Sequence, residues 1–91
     1  MATIEQIKSI IKEFIETEFY DDKDDVLKAL DGNIHRTVGE FWFDSLDLVE
    51  LEMMLEDELD ITFDDDRLDN AVIDSTLFEN LPEIFYNAQL G

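Results

Sequence analysis

Asp44-Ser45-Leu46-Asp47-Leu48-Val49-Glu50-Leu51 decides the fold, because a short polar turn opens there directly onto a helix-patterned run reaching Leu59. At about 100° per residue, Leu48, Leu51, Leu55 and Leu59 fall on one face of this helix, and Leu46, Val49 and Met53 on another, roughly opposite. A helix in a small bundle needs one buried stripe, and the leucines supply it. The second stripe is interleaved with Glu50, Glu56, Asp57 and Asp60, which resist burial. It is therefore expected to be an exposed apolar strip among carboxylates, suited to transient docking: charge steers a basic partner, and a few apolar contacts with an adaptable methionine complete the fit. The alternative is that this strip packs under the preceding loop, through Phe41 or Trp42.

Working outward, Ile4, Ile7, Ile11, Phe14 and Ile15 recur at helical spacing, which predicts a first helix ending near Phe19. Thr3 and Gln6 form its capping box. The stretch from Tyr20 to Phe43 is a long loop with an acid cluster (Asp21, Asp22, Asp24, Asp25), turn signals at Asp31-Gly32-Asn33 and Gly39, and a helical turn around Asp25 to Leu30. After Leu59, Ile61-Thr62-Phe63 reads as an extended connector and Asp64 to Leu68 as one brief helical turn. Thr76 and Glu79 have the spacing of a capping box for a last helix through Leu77, Leu81, Ile84, Phe85 and Ala88. Pro82 lies inside that pattern, so a start nearer Asn80, with the proline in the first turn, is the alternative. The fold expected is all-α: a small antiparallel bundle of three main helices plus one short helix, as a single domain over residues 1–91.

The charge balance is extreme, with 25 Asp and Glu against 6 Lys and Arg. Such a chain repels nucleic-acid phosphates and anionic membranes and attracts proteins with basic patches. Cysteine is absent, which removes disulfides, thiol nucleophiles and thiolate metal sites and suits a reducing cytoplasm. Met1-Ala2-Thr3-Ile4-Glu5 shows no signal-peptide pattern, and no apolar run has the length of a membrane span, so a soluble cytoplasmic monomer is expected. The acid clusters do not fit the calcium-loop template. His35 has no partner histidine or cysteine for zinc, and Met53 and Met54 read as packing residues.

Three roles compete for Ser45. It could cap the helix, since Ser or Asp at this point satisfies an unpaired N–H. A catalytic nucleophile needs a base and an oxyanion hole; His35 is the one histidine, there is no Gly-x-Ser-x-Gly elbow, and the surrounding carboxylates oppose an oxyanion. A modification acceptor needs only exposure, a firm position and a surface its enzyme can grip.

The motif, extended through Leu46, Asp47, Val49, Glu50, Leu51, Met53, Leu55 and Glu56 and followed by Asp64-Asp65-Asp66, resembles the attachment site of acyl carrier proteins. The likeness runs from Met1 to about Leu81 in length, acidity and order of elements. It implies a non-catalytic carrier: Ser45 takes 4'-phosphopantetheine from coenzyme A through a phosphopantetheinyl transferase, with Mg²⁺ bound during attachment and Asp44 helping to hold that ion. The thiol of the arm then bears acyl groups for fatty-acid, polyketide or related biosynthesis. Glu50, Glu56 and Asp57 would pair with basic residues of acyl ligases, acyltransferases or synthases, and Leu46, Val49 and Met53, beside Asp47, would line the apolar part of that surface.

This chain departs from the family pattern where Phe41-Trp42-Phe43 replaces the usual Leu-Gly-x before the Asp-Ser. Phe41 is expected to fill the apolar slot of the loop, and Trp42 or Phe43 to cover the arm or attract a special partner. The stretch Arg67 to Ser75 is also a few residues long for the family. Both features suggest a specialised carrier. Two rival readings stay open: an acidic helical interaction protein that is never modified, and a carrier of aminoacyl or peptidyl groups.

Overall fold

Hydrogen bonds at helix starts fix most of the element boundaries. The Thr3 N–H donates to Gln6 Oε1 (2.9 Å) and the Gln6 N–H to Thr3 Oγ1 (3.1 Å), closing the expected capping box. Helix α1 follows over Ile4–Glu18, burying Ile7, Ile10, Ile11, Phe14 and Ile15. The computed structural model describes residues 1–18, 22–41 and 43–90. Phe19, Tyr20, Asp21 and Trp42 therefore lie outside the described residues, and with them the exact end of α1 and the role expected of Trp42.

The expected turn around Asp25 is a full two-turn helix, α2 (Lys23–Leu30), which buries Val26, Ala29 and Leu30. Gly32 follows with a left-handed φ of 80°, which a glycine adopts without strain. Helix α3 spans Ser45–Leu59 and buries Leu48, Leu51 and Leu55. It ends on Asp60, left-handed at φ 51°.

Beyond α3 the structure is richer than the sequence pattern. The expected connector holds strand β1 (Thr62–Phe63), which pairs antiparallel with β2 (Gln89–Leu90), Thr62 opposite Leu90 and Phe63 opposite Gln89. A 3₁₀ turn over Asp65–Arg67 matches the brief turn predicted there. Helix α4 (Asn70–Asp74) had no counterpart in the periodicity; Asp69 Oδ1 caps it by accepting from the Ala71 N–H (2.8 Å) and the Val72 N–H (3.4 Å).

The capping box expected of Thr76 and Glu79 does not form. Thr76 Oγ1 donates instead to the Val72 carbonyl (2.7 Å), and Glu79 Oε1 meets His35 Nδ1 at 2.9 Å. A 3₁₀ turn over Phe78–Asn80 leads into helix α5 (Leu81–Asn87), whose first turn holds Pro82 where its missing N–H costs nothing. The alternative start near Asn80 is the one realised.

The fold is all-α in class: the described residues form five helices and one two-stranded ribbon around an apolar core. Phe78, Phe85, Ile7, Ile11, Ile15, Leu51 and Leu55 are fully buried at its centre. The two ends of the chain are joined. Gln89, itself buried, accepts from the Ala2 N–H (2.7 Å) and donates to the Ala2 carbonyl (3.0 Å). Among the described residues, no helix is long and apolar enough to cross a membrane.

Candidate functional site

The start of α3 is held from below by aromatic packing. Val38–Phe41 forms a 3₁₀ turn, anchored where the Val38 N–H donates to the Thr76 carbonyl (2.9 Å) and the Phe78 N–H to the Arg36 carbonyl (2.8 Å). Gly39 approaches α4 so closely that a Cβ there would lie 3.0 Å from the Asp74 carbonyl oxygen. Phe41 meets Phe78 edge-on at 5.7 Å between ring centroids; Phe43 meets Phe78 at 6.0 Å and Phe14 at 5.9 Å. Phe41 thus fills the apolar slot expected of it. Phe43 is a buried core residue, which overturns its expected place over an arm or against a partner.

Two residues past Phe43 stands Ser45, the first residue of α3. The cap is Asp44, not the serine: Asp44 Oδ1 accepts from the Asp47 N–H (3.0 Å), and Asp47 Oδ2 accepts from the Asp44 N–H (3.3 Å). Aspartate at both ends of this reciprocal pair leaves the serine hydroxyl with no hydrogen bond among the described residues, and Ser45 is exposed. The capping role for Ser45 is therefore corrected to Asp44. Partial burial pushes the Asp47 carboxyl above its ordinary value; the neighbouring Asp44 charge adds to this, while the bond from the Asp44 backbone opposes it.

The two stripes of α3 separate as their spacing predicts. Leu48, Leu51 and Leu55 point into the core, with Leu59 partly buried against it. Leu46, Val49 and Met53 are 64%, 49% and 57% exposed, so this strip faces solvent. Glu50 and Asp57 are exposed and Glu56 half-buried beside it. Met54 packs partly against the core, as expected.

The charge is unevenly distributed. Residues 1–36 carry nine acids and five cations, whereas residues 37–91 carry sixteen acids and only Arg67. Arg67 is itself engaged, its Nη1 donating to the Asn87 carbonyl (2.9 Å) and its Nε lying 3.5 Å from Asp64. The half of the chain that contains Ser45 thus presents an almost uncompensated negative field.

Periodicity could not reveal how Glu52 meets Asp65, a contact between α3 and the 3₁₀ turn that follows β1. Glu52 is pushed up to about 7, by burial first, then by its hydrogen-bonding position toward Asp65 and by the charges of Asp65 and Glu56. A groove of about 360 Å³ runs here, lined by Leu48, Val49, Met53 and Leu68 together with Glu52, Glu56, Asp65 and Asn70. Among the described residues, no group of three or more histidine, cysteine or acidic side chains is placed to hold a metal ion.

No known family model matches the chain, and no curated protein or solved structure is significantly similar to it.

Proposed function

We propose that the protein is an acyl carrier, modified on Ser45 with 4'-phosphopantetheine and docked by its partners along the outer face of α3. The observation that carries this reading is the serine itself: exposed, with no hydrogen bond among the described residues, and held on the first turn of a helix whose cap is supplied by its neighbour. A serine needed for the fold would be expected at the capping position. This one is spared that task.

The residues suit the arm. A phosphodiester on Ser45 Oγ would sit at the positive end of α3, beside first-turn N–H groups that have no partner within the helix. Attachment would form the Oγ–phosphorus bond and break the pyrophosphate bond of coenzyme A, with adenosine 3',5'-bisphosphate leaving and the Oγ proton passing to the transferase or solvent; Asp44, next to the serine in the chain, would help hold the Mg²⁺ that the transferase brings. Once bound, the arm supplies a thiol on which an acyl group is carried as a reactive thioester. The protein's own contribution is position and recognition. Glu50, Glu56 and Asp57 steer enzymes with basic patches, and Leu46, Val49 and Met53 provide the contacts that end the encounter. Tethering raises the local concentration of the acyl group at each partner's active site.

The test is to incubate the protein with coenzyme A, Mg²⁺ and a broad-specificity phosphopantetheinyl transferase beside Ser45→Ala, and to read the intact mass. One phosphopantetheine on the parent and none on the variant is the expected result. No gain on a folded, initially unmodified parent with several transferases would instead favour an acidic interaction protein. If the arm attaches but is charged only by amino-acid-activating enzymes, the cargo is aminoacyl or peptidyl.

A further inference from the structure

Two hollows in the surface are walled by carboxylates, and they differ in whether they hold a cation of their own. In the cleft of about 420 Å³ between α2 and the loop after it, Arg36 stands among Asp22, Asp25 and Glu40. The groove of about 360 Å³ along α3 has Glu52, Glu56 and Asp65 in its wall and, among the described residues, no basic side chain. Arg67, the single Lys or Arg of residues 37–91, is spent on Asp64 and the Asn87 carbonyl. Glu56 lies one turn from Glu52 on α3, and Asp65 faces it from the 3₁₀ turn; these are the charges that bear on it. Carboxyl groups gathered without a counter-ion resist full ionisation, and partial burial of Glu52 adds to this, so it keeps its proton up to about 7. The same groove opens onto Val49 and Met53, exposed members of the outer strip.

We propose that docking on the outer face of α3 is coupled to the release of a proton. The partner lays an apolar side chain on Val49 and Met53 and sets an arginine into the groove between Glu52 and Asp65, where its charge takes the proton's place. The proposal rests on the docking face of the reading above and is independent of the arm. Charge complementarity selects the occupant: a groove with three acids and no cation is completed by one from outside. Arginine suits it better than lysine, because its planar fork meets two carboxylates at once and is more weakly hydrated at a half-buried site. The balance is simple. Glu52 gives up one proton to solvent, and a guanidinium that is already charged replaces it. Docking therefore strengthens as pH rises through 7, whereas the same proton favours the undocked fold at lower pH. The cleft beside α2 is a poorer socket, since Arg36 already answers part of its charge.

The coupling can be tested on Ser45→Ala, which never bears an arm, so its failure is separate from that of the carrier reading. The probe is an acetylated, amidated alanine-based peptide with one arginine and, a helical turn away, one leucine. It is titrated in while NMR follows the side-chain methyls and the Glu52 carboxyl carbon. The methyls of Val49 and Met53 and the Glu52 carboxyl should shift. Binding should be about tenfold tighter at pH 8 than at pH 6, and the Glu52 carboxyl should titrate at lower pH with the peptide bound than without it. Glu52→Gln should remove that pH dependence, and Asp65→Asn should weaken binding at pH 8. A lysine peptide should bind more weakly, and one with citrulline, which keeps the shape of arginine and loses its charge, should not bind. Equal affinity at both pH values, a pH dependence that survives Glu52→Gln, lysine or citrulline peptides as good as the arginine one, shifts centred on the α2 cleft, or no binding would each overturn the proposal. Absence of a mass gain on the parent protein would count against the carrier reading alone.

Discussion

The two faces of α3 are built from nearly the same residue types and have opposite fates. Leu48, Leu51 and Leu55 are buried, whereas Leu46, Val49 and Met53, on the same fifteen-residue helix, face water. What differs is their neighbours. The inner stripe turns toward a core of Ile, Leu and Phe; the outer one shares its face with carboxylates that cannot follow it into a core. A helix that keeps apolar groups in water along one face loses no packing when they change, so that face is free to serve partners. Under the proposed function, stability and recognition would be divided between two sides of one element.

The sharpest way to break this comparison is to truncate one residue on each face. Leu51→Ala should cost about 2–5 kcal/mol, read as a large fall in the denaturation midpoint, whereas Val49→Ser and Met53→Ser should stay within about 0.5 kcal/mol of the parent. Equal losses on both faces would mean that the outer strip is packed. Next in size is the clasp between the chain ends: Gln89→Ala removes both bonds to Ala2 and should cost about 1–3 kcal/mol. The division between Asp44 and Ser45 comes third. Asp44→Ala should lose about 1 kcal/mol of helix capping, while Ser45→Ala, which gives up no hydrogen bond, should be neutral within about 0.5 kcal/mol.

Proton linkage gives the smallest effect. Glu52 holds its proton more tightly folded than unfolded, so its contribution is fully present below its ordinary value near 4.5 and is lost as pH rises toward about 7. Stability should therefore fall from pH 5 to pH 7.5, by up to roughly 5 °C in Tm, and the raised Asp47 acts in the same direction. Glu52→Gln, which keeps a donor toward Asp65, should flatten part of that slope. A Tm that climbs with pH would contradict a Glu52 that holds its proton in the folded state.

Local chemistry was the part of this molecule legible in its sequence. The box at Thr3 and Gln6, the start of α3, the two stripes and the first-turn place of Pro82 all depend on residues within a turn or two of one another. Long-range competition hid the rest. Thr76 and Glu79 have the right spacing for a cap, yet His35 and the Val72 carbonyl, neither visible in a local window, take their side chains. Ribbon β1–β2 joins residues almost thirty apart through two-residue strands that alternation cannot announce. Helix α4 is a single short turn-and-a-half, and Asp69 as its cap was the one signal available. At the candidate site, the exposure of the outer strip was readable from the helical period. The Glu52–Asp65 contact was not, because two like charges are the last pair a charge pattern would bring together.

The central claim, that the outer face of α3 serves partners while the inner face serves the fold, is tested most directly by the rate of phosphopantetheine transfer to a Glu50→Lys, Met53→Lys variant beside the parent, at low and high salt. The account predicts an unchanged Tm, transfer slowed at least about tenfold at low salt, and a smaller salt dependence than the parent shows. Transfer to the variant at the parent's rate, or no transfer to the parent at all, would contradict it.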